Sequence, residues 1–584
     1  MLKTLPFIIA CLLFCLALPV HAAQPVELVV EGVEGPALDN VRLALALPPG
    51  LVHEGKANRL WLQRFSGQAD EKVRAALEPF GYYNANVTVV MEPLEKERYR
   101  LRVAVVPGEP VRVADVQVEL HGSGSGQSSL QGLAAAFPLQ KGSILLQQEY
   151  EKAKAVFKTR AEALGYLDAD FPQHEIRIAP GETSARIKLV METGERYLFN
   201  GTRIEGAPDY PEPFLKRYIS FAPGDVFSYA SLGETQLNLT NSERFKEVVV
   251  LPEKAEATDF RVPVLVQLKQ APRRTLRPGV GYGTDTGARF SLRYRDLNMF
   301  HKGHELNAQL YVAERLQGLA AGYIVPDYRD IRSSTTFQLN LQQEDVTAYI
   351  SRLVAVEVAR NHSFGKGELG TVYLRVQQED FTIGTQESSS RLVLPGIRFS
   401  KDSYDNLIHP TSGFRFSVDV RGTHQFIGSD TSLLQCIGEG SHLLPLPWRL
   451  SLHSRVRVGT TLFSDPLVDI PPTLRFFAGG DQSVRGYSYK SLGPTDSSGK
   501  VAGGKQLLTG SIELERALFQ NWGISAFHDA GNAFNTLSDV TLFQGAGIGL
   551  HYYSQVGAIN LSVARQIGVD HPGYRIHFTV GFQL

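Results

Sequence analysis

A chain of 584 residues with 59 Lys and Arg against 60 Asp and Glu carries a net charge of −1. It has room for several domains and no basic excess of the kind nucleic-acid binding draws on. Three cysteines are too few for a disulfide framework, and two of them, Cys11 and Cys15, fall in an N-terminal apolar run. Cys436 alone can form neither an internal disulfide nor a thiolate metal site.

The N-terminus reads as a secretory signal. Lys3 supplies the positive end, Leu5 to Leu18 the apolar run, and Val20-His21-Ala22 the small-residue cleavage site, giving a signal peptide over 1–22. A membrane anchor fits less well, because the run is short and no basic stop-transfer cluster follows. Removing Lys3 takes the mature net charge from −1 to −2. No later stretch approaches the ~18 consecutive apolar residues of a transmembrane helix. An exported chain of this kind is soluble or crosses a membrane as a closed barrel, in which every backbone polar group is paired.

From Gln24 to Ala271 helical and strand patterns mix and a diverged repeat shows. Gly81-Tyr82-Tyr83 and Gly165-Tyr166-Leu167 each close a helical pattern and precede a strand-like run, Asn86 to Met91 and Phe171 to Ile178. A glycine there ends a helix in the left-handed conformation. Pro107-Gly108-Glu109-Pro110-Val111 parallels Thr193-Gly194-Glu195-Arg196-Tyr197, and Arg244-Phe245 takes the Gly-Tyr position in a third copy. The unit of roughly 80 residues is strand, two helices, two strands, and it resembles the POTRA domain. Three unrelated α+β domains are the alternative. The expected boundaries are 23–107, 108–194 and 195–271, followed by a barrel over 272–584.

Beyond Pro272 short alternating segments take over. Phe414, Phe416, Val418 and Val420 alternate with Arg415, Ser417, Asp419 and Arg421. Tyr574, Ile576, Phe578, Val580, Phe582 and Leu584 alternate with Arg575, His577, Thr579, Gly581 and Gln583. Dyad repeats with one apolar and one polar face describe strands between lipid and a wet lumen. A β-sandwich also alternates, but its apolar faces must meet in one core. The fold class expected is therefore α+β POTRA repeats followed by an all-β transmembrane barrel of about 16 antiparallel strands.

The most specific segment is Phe476-Phe477-Ala478-Gly479-Gly480-Asp481-Gln482-Ser483-Val484-Arg485-Gly486-Tyr487. It resembles loop 6 of the superfamily containing BamA, TamA and two-partner-secretion transporters. Gly510 to Leu514, Phe527-His528-Asp529-Ala530-Gly531 and Gly545 to Leu550 resemble the strands that follow, and Asp405 with Pro410 to Gly413 resembles an upstream hairpin. Three POTRA-like units, rather than five or two, are similar to the TamA family, as are Gly279 to Gly287 and the lead-in from Pro471. The resemblance implies a periplasm-facing array and an outer-membrane barrel that inserts or secretes substrate proteins such as autotransporters. It implies a TamB-like, inner-membrane-anchored partner at the first POTRA unit, contact with outer-membrane lipid, and no nucleic acid. A two-partner-secretion pore is the runner-up, and a passive channel is the reading from a different class.

Three groups of site residues follow. Val484, Arg485, Gly486 and Tyr487 form the loop motif. By strand parity Ile512 and Leu514 face lipid, so Ser511, Glu513 and Glu515 face the lumen, with Asp529 on the next strand's inner face. The resemblance then implies that Arg485 meets Glu513 and Asp529. Gly279, Gly281 and Gly283 leave one face of the first barrel strand bare, to admit an inward-folded loop or to weaken a seam with Thr579, Gly581 and Gln583 on the last. Enzymatic readings fail. Gly545-Ala546-Gly547-Ile548-Gly549 lacks the strand–helix setting of a dinucleotide site, the histidines have no metal-ligand spacing, and no catalytic residue, cofactor or metal is expected.

Overall fold

A computed structural model describes residues 25–53, 56–95, 98–179, 181–384, 386–406, 410–462, 465–554 and 557–580. The expected signal peptide, and Gly581 and Gln583 of the expected seam, lie outside the described residues.

Three α+β modules precede the barrel. Each is a three-stranded sheet whose last strand in sequence is central in space. In the first, Arg98–Val106 lies between Val26–Glu31 and Asn86–Leu94; in the second, Ser184–Glu192 lies between Arg112–His121 and Asp170–Ile178; in the third, Arg261–Gln270 lies between Phe245–Pro252 and Leu198–Glu205. Helix Arg59–Leu77 begins where Asn58 accepts the backbone N–H groups of Leu60 and Trp61 (3.1 and 3.2 Å), satisfying donors that a first helical turn leaves free. Leu62, Phe65, Ala69, Val73 and Ala76 recur at helical spacing and are buried against the first sheet. Tyr150, Ala153, Phe157 and Ala161 do the same on helix Gln147–Ala163. The helical stretches stop at Gly81 and Gly165, whose φ values of 92° and 91° are left-handed.

The repeat also shows in its joints. Val111 N–H donates to the Gly81 carbonyl (2.8 Å) and Tyr197 N–H to that of Gly165 (2.8 Å), so each module's first turn hangs on its predecessor's helix stop. At the end of the third, Ala271 N–H donates to the Arg244 carbonyl (2.8 Å). Arg244 thus occupies the Gly-Tyr position that the sequence assigns it.

The barrel strands are β1 (Arg274–Gly283), β2 (Gly287–Met299), β3 (His304–Ala313), β4 (Leu316–Pro326), β5 (Ser333–Val346), β6 (Tyr349–Gly365), β7 (Glu368–Ile383), β8 (Gln386–Asp402), β9 (Gly413–Thr423), β10 (Leu433–Leu446), β11 (Leu450–Leu462), β12 (Gln506–Ala517), β13 (Trp522–Phe534), β14 (Phe543–Ser554), β15 (Gly557–Ile567) and β16 (Tyr574–Val580). They pair in chain order and close through β1 and β16, antiparallel throughout. Alternation is strict where it is easiest to follow: on β6, Ile350, Val354, Val356 and Val358 point out and are exposed, whereas Leu353, Ala355 and Glu357 are buried inside. An outward belt of aliphatic side chains around a lumen lined with charge requires an apolar solvent outside.

By compactness the chain divides into two units. One holds residues up to 202 with 221–233 and 252–264; the other holds 203–220, 234–251 and 265–584. Within the second unit, Phe214 on the short helix Glu212–Lys216 is fully buried against the β2–β3 turn, where a Cβ on Gly303 would lie 2.4 Å from its ring. Arg217 donates to the carbonyls of Asp330 (3.4 Å) and Ile331 (3.1 Å), and Arg244 to that of Gly303 (3.2 Å). Part of the third module is therefore built into the barrel's rim.

Within the first unit, Asp168 joins two modules: it accepts from Lys254 Nζ (2.6 Å) and from the Tyr197 hydroxyl (2.6 Å). Those hydrogen bonds hold its carboxyl below the usual carboxylate range and push the Tyr197 phenol up to about 12. A depressed carboxyl contributes stability above its unfolded pKa of about 3.9 and loses it as pH falls through the lower folded value. Asp168→Asn should therefore lower the thermal midpoint of the N-terminal modules at pH 7 and leave a smaller further drop on acidification to pH 3, both read by circular dichroism.

Candidate functional site: loop 6, the lumen wall and the seam

Between β11 and β12, residues 465–505 fold into the barrel. This segment holds itself together by using a guanidinium in place of regular structure. Arg475 donates to the carbonyls of Ile470 (2.6 Å), Ala502 (2.9 Å) and Val468 (3.2 Å), and Phe476 and Gly504 exchange backbone hydrogen bonds. On one wall Lys490 pairs with Glu344 of β5 (2.7 Å), which also accepts from the Tyr349 hydroxyl (2.6 Å). Thr473 N–H donates to Glu379 of β7 (3.3 Å).

On the opposite wall sits the motif. Arg485 Nε and Nη2 donate to the two oxygens of Asp529 (2.7 and 2.9 Å), and Nη1 donates to Glu513 Oε2 (2.7 Å). The backbone N–H of Arg485 reaches Asp529 as well (3.0 Å), and Nη2 donates to the Ser511 hydroxyl (3.2 Å), which in turn donates to Asp529 (2.7 Å). The guanidinium carbon lies 3.4 Å from the centroid of the Phe527 ring. A planar fork with one bidentate carboxylate, a second carboxylate and an aromatic face is a setting lysine cannot reproduce. The Asp529 side chain is fully buried and that of Arg485 nearly so. Ile512 and Leu514 point outward and Ser511 and Glu515 inward, in the parity read from the sequence. Val484 and Tyr487 fill an apolar cluster beside the clasp, and Gly486 turns the loop at φ 99°.

The structure explains the glycine series on β14. A Cβ on Gly545 would lie 1.9 Å from the Arg485 carbonyl oxygen, and one on Gly547 2.7 Å from Phe527. These glycines are a bed for the loop backbone and for the ring under the guanidinium. Glu513 is supported from behind by His551 of β14 (3.0 Å), whose other ring nitrogen meets Asn560 of β15 (2.9 Å). A polar cavity of about 670 Å³ remains beside the clasp, lined by Arg485, Glu513, Glu515, His551 and His577 among others.

At the seam, β1 and β16 pair through Tyr282↔Val580 and Gly283↔Thr579 among the described residues. The bare face of β1 has a use: Arg289 of β2 crosses over it and donates from Nη2 to the Val580 carbonyl on β16 (3.2 Å). A Cβ on Gly281 would lie 2.8 Å from Arg289 Nε and 2.5 Å from that carbonyl oxygen.

Several residues at the site carry no separate sequence signal. Phe527 stands inside a recognisable strand motif, but only its ring under Arg485 gives it a role. Asp285, Asp481 and His577 come together from the β1–β2 turn, loop 6 and β16, with one ligand-type atom of each within 4.8 Å of the others. Sequence separations of 196 and 96 residues hide such a group from any spacing rule.

Residues 279–584 match the Omp85 superfamily domain. The chain belongs to the Omp85 superfamily. Residues 27–107 match the first POTRA domain of TamA. The outer membrane protein assembly factor BamA of Nitratidesulfovibrio vulgaris is 24% identical over 430 residues, which cover 68% of this chain and 52% of that protein. This chain thus spans about half the length of that curated relative. Among solved structures, BamA from Haemophilus ducreyi lacking POTRA domains 1–3 is similar with a TM-score of 0.66 at 17% identity, covering 80% of this chain and 99% of that one. CdiB from Escherichia coli is similar with a TM-score of 0.50 at 14% identity, covering 91% and 100%. These likenesses show the fold, POTRA-like α+β modules followed by a closed antiparallel barrel of sixteen strands, as the sequence motifs lead one to expect.

Removing the guanidinium strands two buried carboxylates, a loss of about 3–5 kcal/mol for the seated loop. Arg485→Ala should still give a heat-modifiable sixteen-stranded barrel, but residues 475–505 should become open to added protease. Arg485→Lys should be intermediate, and Gly545→Val should mimic the alanine variant by wedging the loop away with every charge intact. Protease resistance in the alanine variant equal to that of the unaltered chain would show that the clasp does not hold the loop.

Proposed function

We propose that this chain is an outer-membrane assembly and translocation factor that passes substrate proteins, autotransporter-type β-domains among them, through a seam between β1 and β16. The observation that carries this reading is the construction of the seam. The first strand is stripped of side chains on its inner face, and the last strand is held partly by groups that reach across it, Arg289 from β2 and loop 6 from the lumen. Hydrogen bonds to side chains can be exchanged without unfolding a strand, so an edge could open and a substrate strand add to it by β-augmentation. A lumen crossed by loop 6 favours this reading over a diffusion channel. The three POTRA-like modules would then sit in the periplasm. The first, which matches a TamA domain, is the docking point for an inner-membrane-anchored, TamB-like partner.

The seam offers a direct test. Gly283 and Thr579 are directly paired across the seam, and directly opposed residues of an antiparallel pair lie within the Cα separation a disulfide tolerates. Gly283→Cys with Thr579→Cys, in a Cys436→Ser background, should form a disulfide that abolishes substrate insertion, and reduction should restore it. A pair across interior strands, Val358→Cys with Leu374→Cys, should crosslink without loss. Equal insertion by the oxidised and reduced seam would remove lateral opening from the mechanism.

A further inference from the structure

Loop 6 meets the barrel a second time, four residues before Arg485, and does so at both sides of the seam at once. The backbone N–H of Asp481 donates to Asp285 Oδ2 in the β1–β2 turn (2.7 Å), while its carboxylate accepts from Nδ1 of His577 on β16. The direct seam bonds lie beside these groups: Thr284 N–H donates to the Phe578 carbonyl (3.0 Å), and Phe578 N–H to the Thr284 hydroxyl (3.3 Å). Asp285 and His577 are 7% and 3% exposed, so water competes poorly for these bonds.

The tautomer of His577 can be read from its surroundings. Gly486 N–H donates to Nε2 (3.0 Å), so that nitrogen carries a lone pair and the ring proton sits on Nδ1, facing Asp481. His577 is thereby gripped twice by loop 6, once by the motif glycine and once by Asp481. Arg575 on the same strand adds a bond to the Ser488 hydroxyl (2.8 Å).

We infer that Asp481 is a positioning residue for the seam: through loop 6 it ties the last strand to the first hairpin, and those ends separate only when the loop releases one of them. The inference rests on the proposed opening for its use, but the tie itself is independent of any substrate. The clasp at Arg485 and the tie at Asp481 then form one device, because only three residues of loop separate them and Gly486 bonds the same histidine.

The same three side chains have the composition of a divalent-cation site, and Asp285 Oδ1 is buried without a partner. The tautomer argues against that reading. A cation on Nδ1 would move the ring proton to Nε2 and set it against the Gly486 N–H, two donors face to face.

Hydrogen exchange of the full chain in lipid vesicles separates these possibilities. Asp481→Ala should raise exchange in peptides spanning 282–285 and 577–580 by about tenfold or more, the amount expected for losing a buried bond to a charged group. Peptides from β5 to β8 should be unchanged. His577→Ala should do the same, and the double variant no more than either. Oxidising the Gly283→Cys/Thr579→Cys pair should cancel the Asp481→Ala effect, which a defect in barrel folding would not allow. Asp481→Asn should stay within a few-fold of the unaltered chain, because its amide oxygen still accepts the Nδ1 proton. Exchange at the seam that ignores Asp481→Ala would overturn the inference. So would protection that depends on added Zn²⁺ or Ca²⁺, is stripped by chelator and is lost in Asp481→Asn, which would assign the group to a cation. A seam lock that spares insertion, together with the expected exchange changes, would leave the tie in place and refute the gate alone.

Discussion

A guanidinium withdrawn from water must find partners in place of its hydration, and at Arg485 it finds two carboxylates, a hydroxyl and a ring face. The net stabilisation of such a buried arrangement can be small, because desolvation offsets most of the Coulombic gain. Its specificity is large, since the planar fork must meet both oxygens of Asp529 and one of Glu513 at once. This interaction fixes where loop 6 lies. The loop in turn lies in the lumen between β5–β7 on one side and β12–β14 on the other, and brings Asp481 to both sides of the seam and Gly486 to the last strand.

Glycine makes that seating possible. Loop backbone approaches β14 so closely that Gly545 has no room for a side chain, and Arg289 crosses β1 where Gly281 has none. In both places a strand gives up side-chain packing so that a neighbouring group can pass over it. Among the described residues, the pairing of the first and last strands is joined by side chains that can be exchanged one at a time, Arg289 from the second strand and those of loop 6.

What was legible in the sequence followed from local physics. Period-two alternation is a property of each strand by itself, so the barrel and the inward faces of Glu513 and Asp529 could be read from parity. The module order could be read from helix stops at Gly81 and Gly165, and the third copy from Arg244 even without its glycine. The clasp was accessible through resemblance, not through spacing. Hidden from the sequence were contacts that exist only once distant segments meet: Phe527 beneath Arg485, Arg289 across Gly281, and the group of Asp285, Asp481 and His577. The Gly545–Gly549 run was visible as a pattern, but the reason for Gly545, room for the backbone of loop 6, has no local signature.

By holding loop 6 in the lumen, the clasp at Arg485 is expected to keep the barrel shut. Planar-bilayer conductance of the full chain tests this most directly, comparing the unaltered protein with Arg485→Ala under identical salt and voltage. A seated loop predicts that the unaltered chain conducts little and that the alanine variant shows discrete, larger openings as the loop leaves. Large, steady conductance in both proteins, or equally low conductance in both, would contradict it.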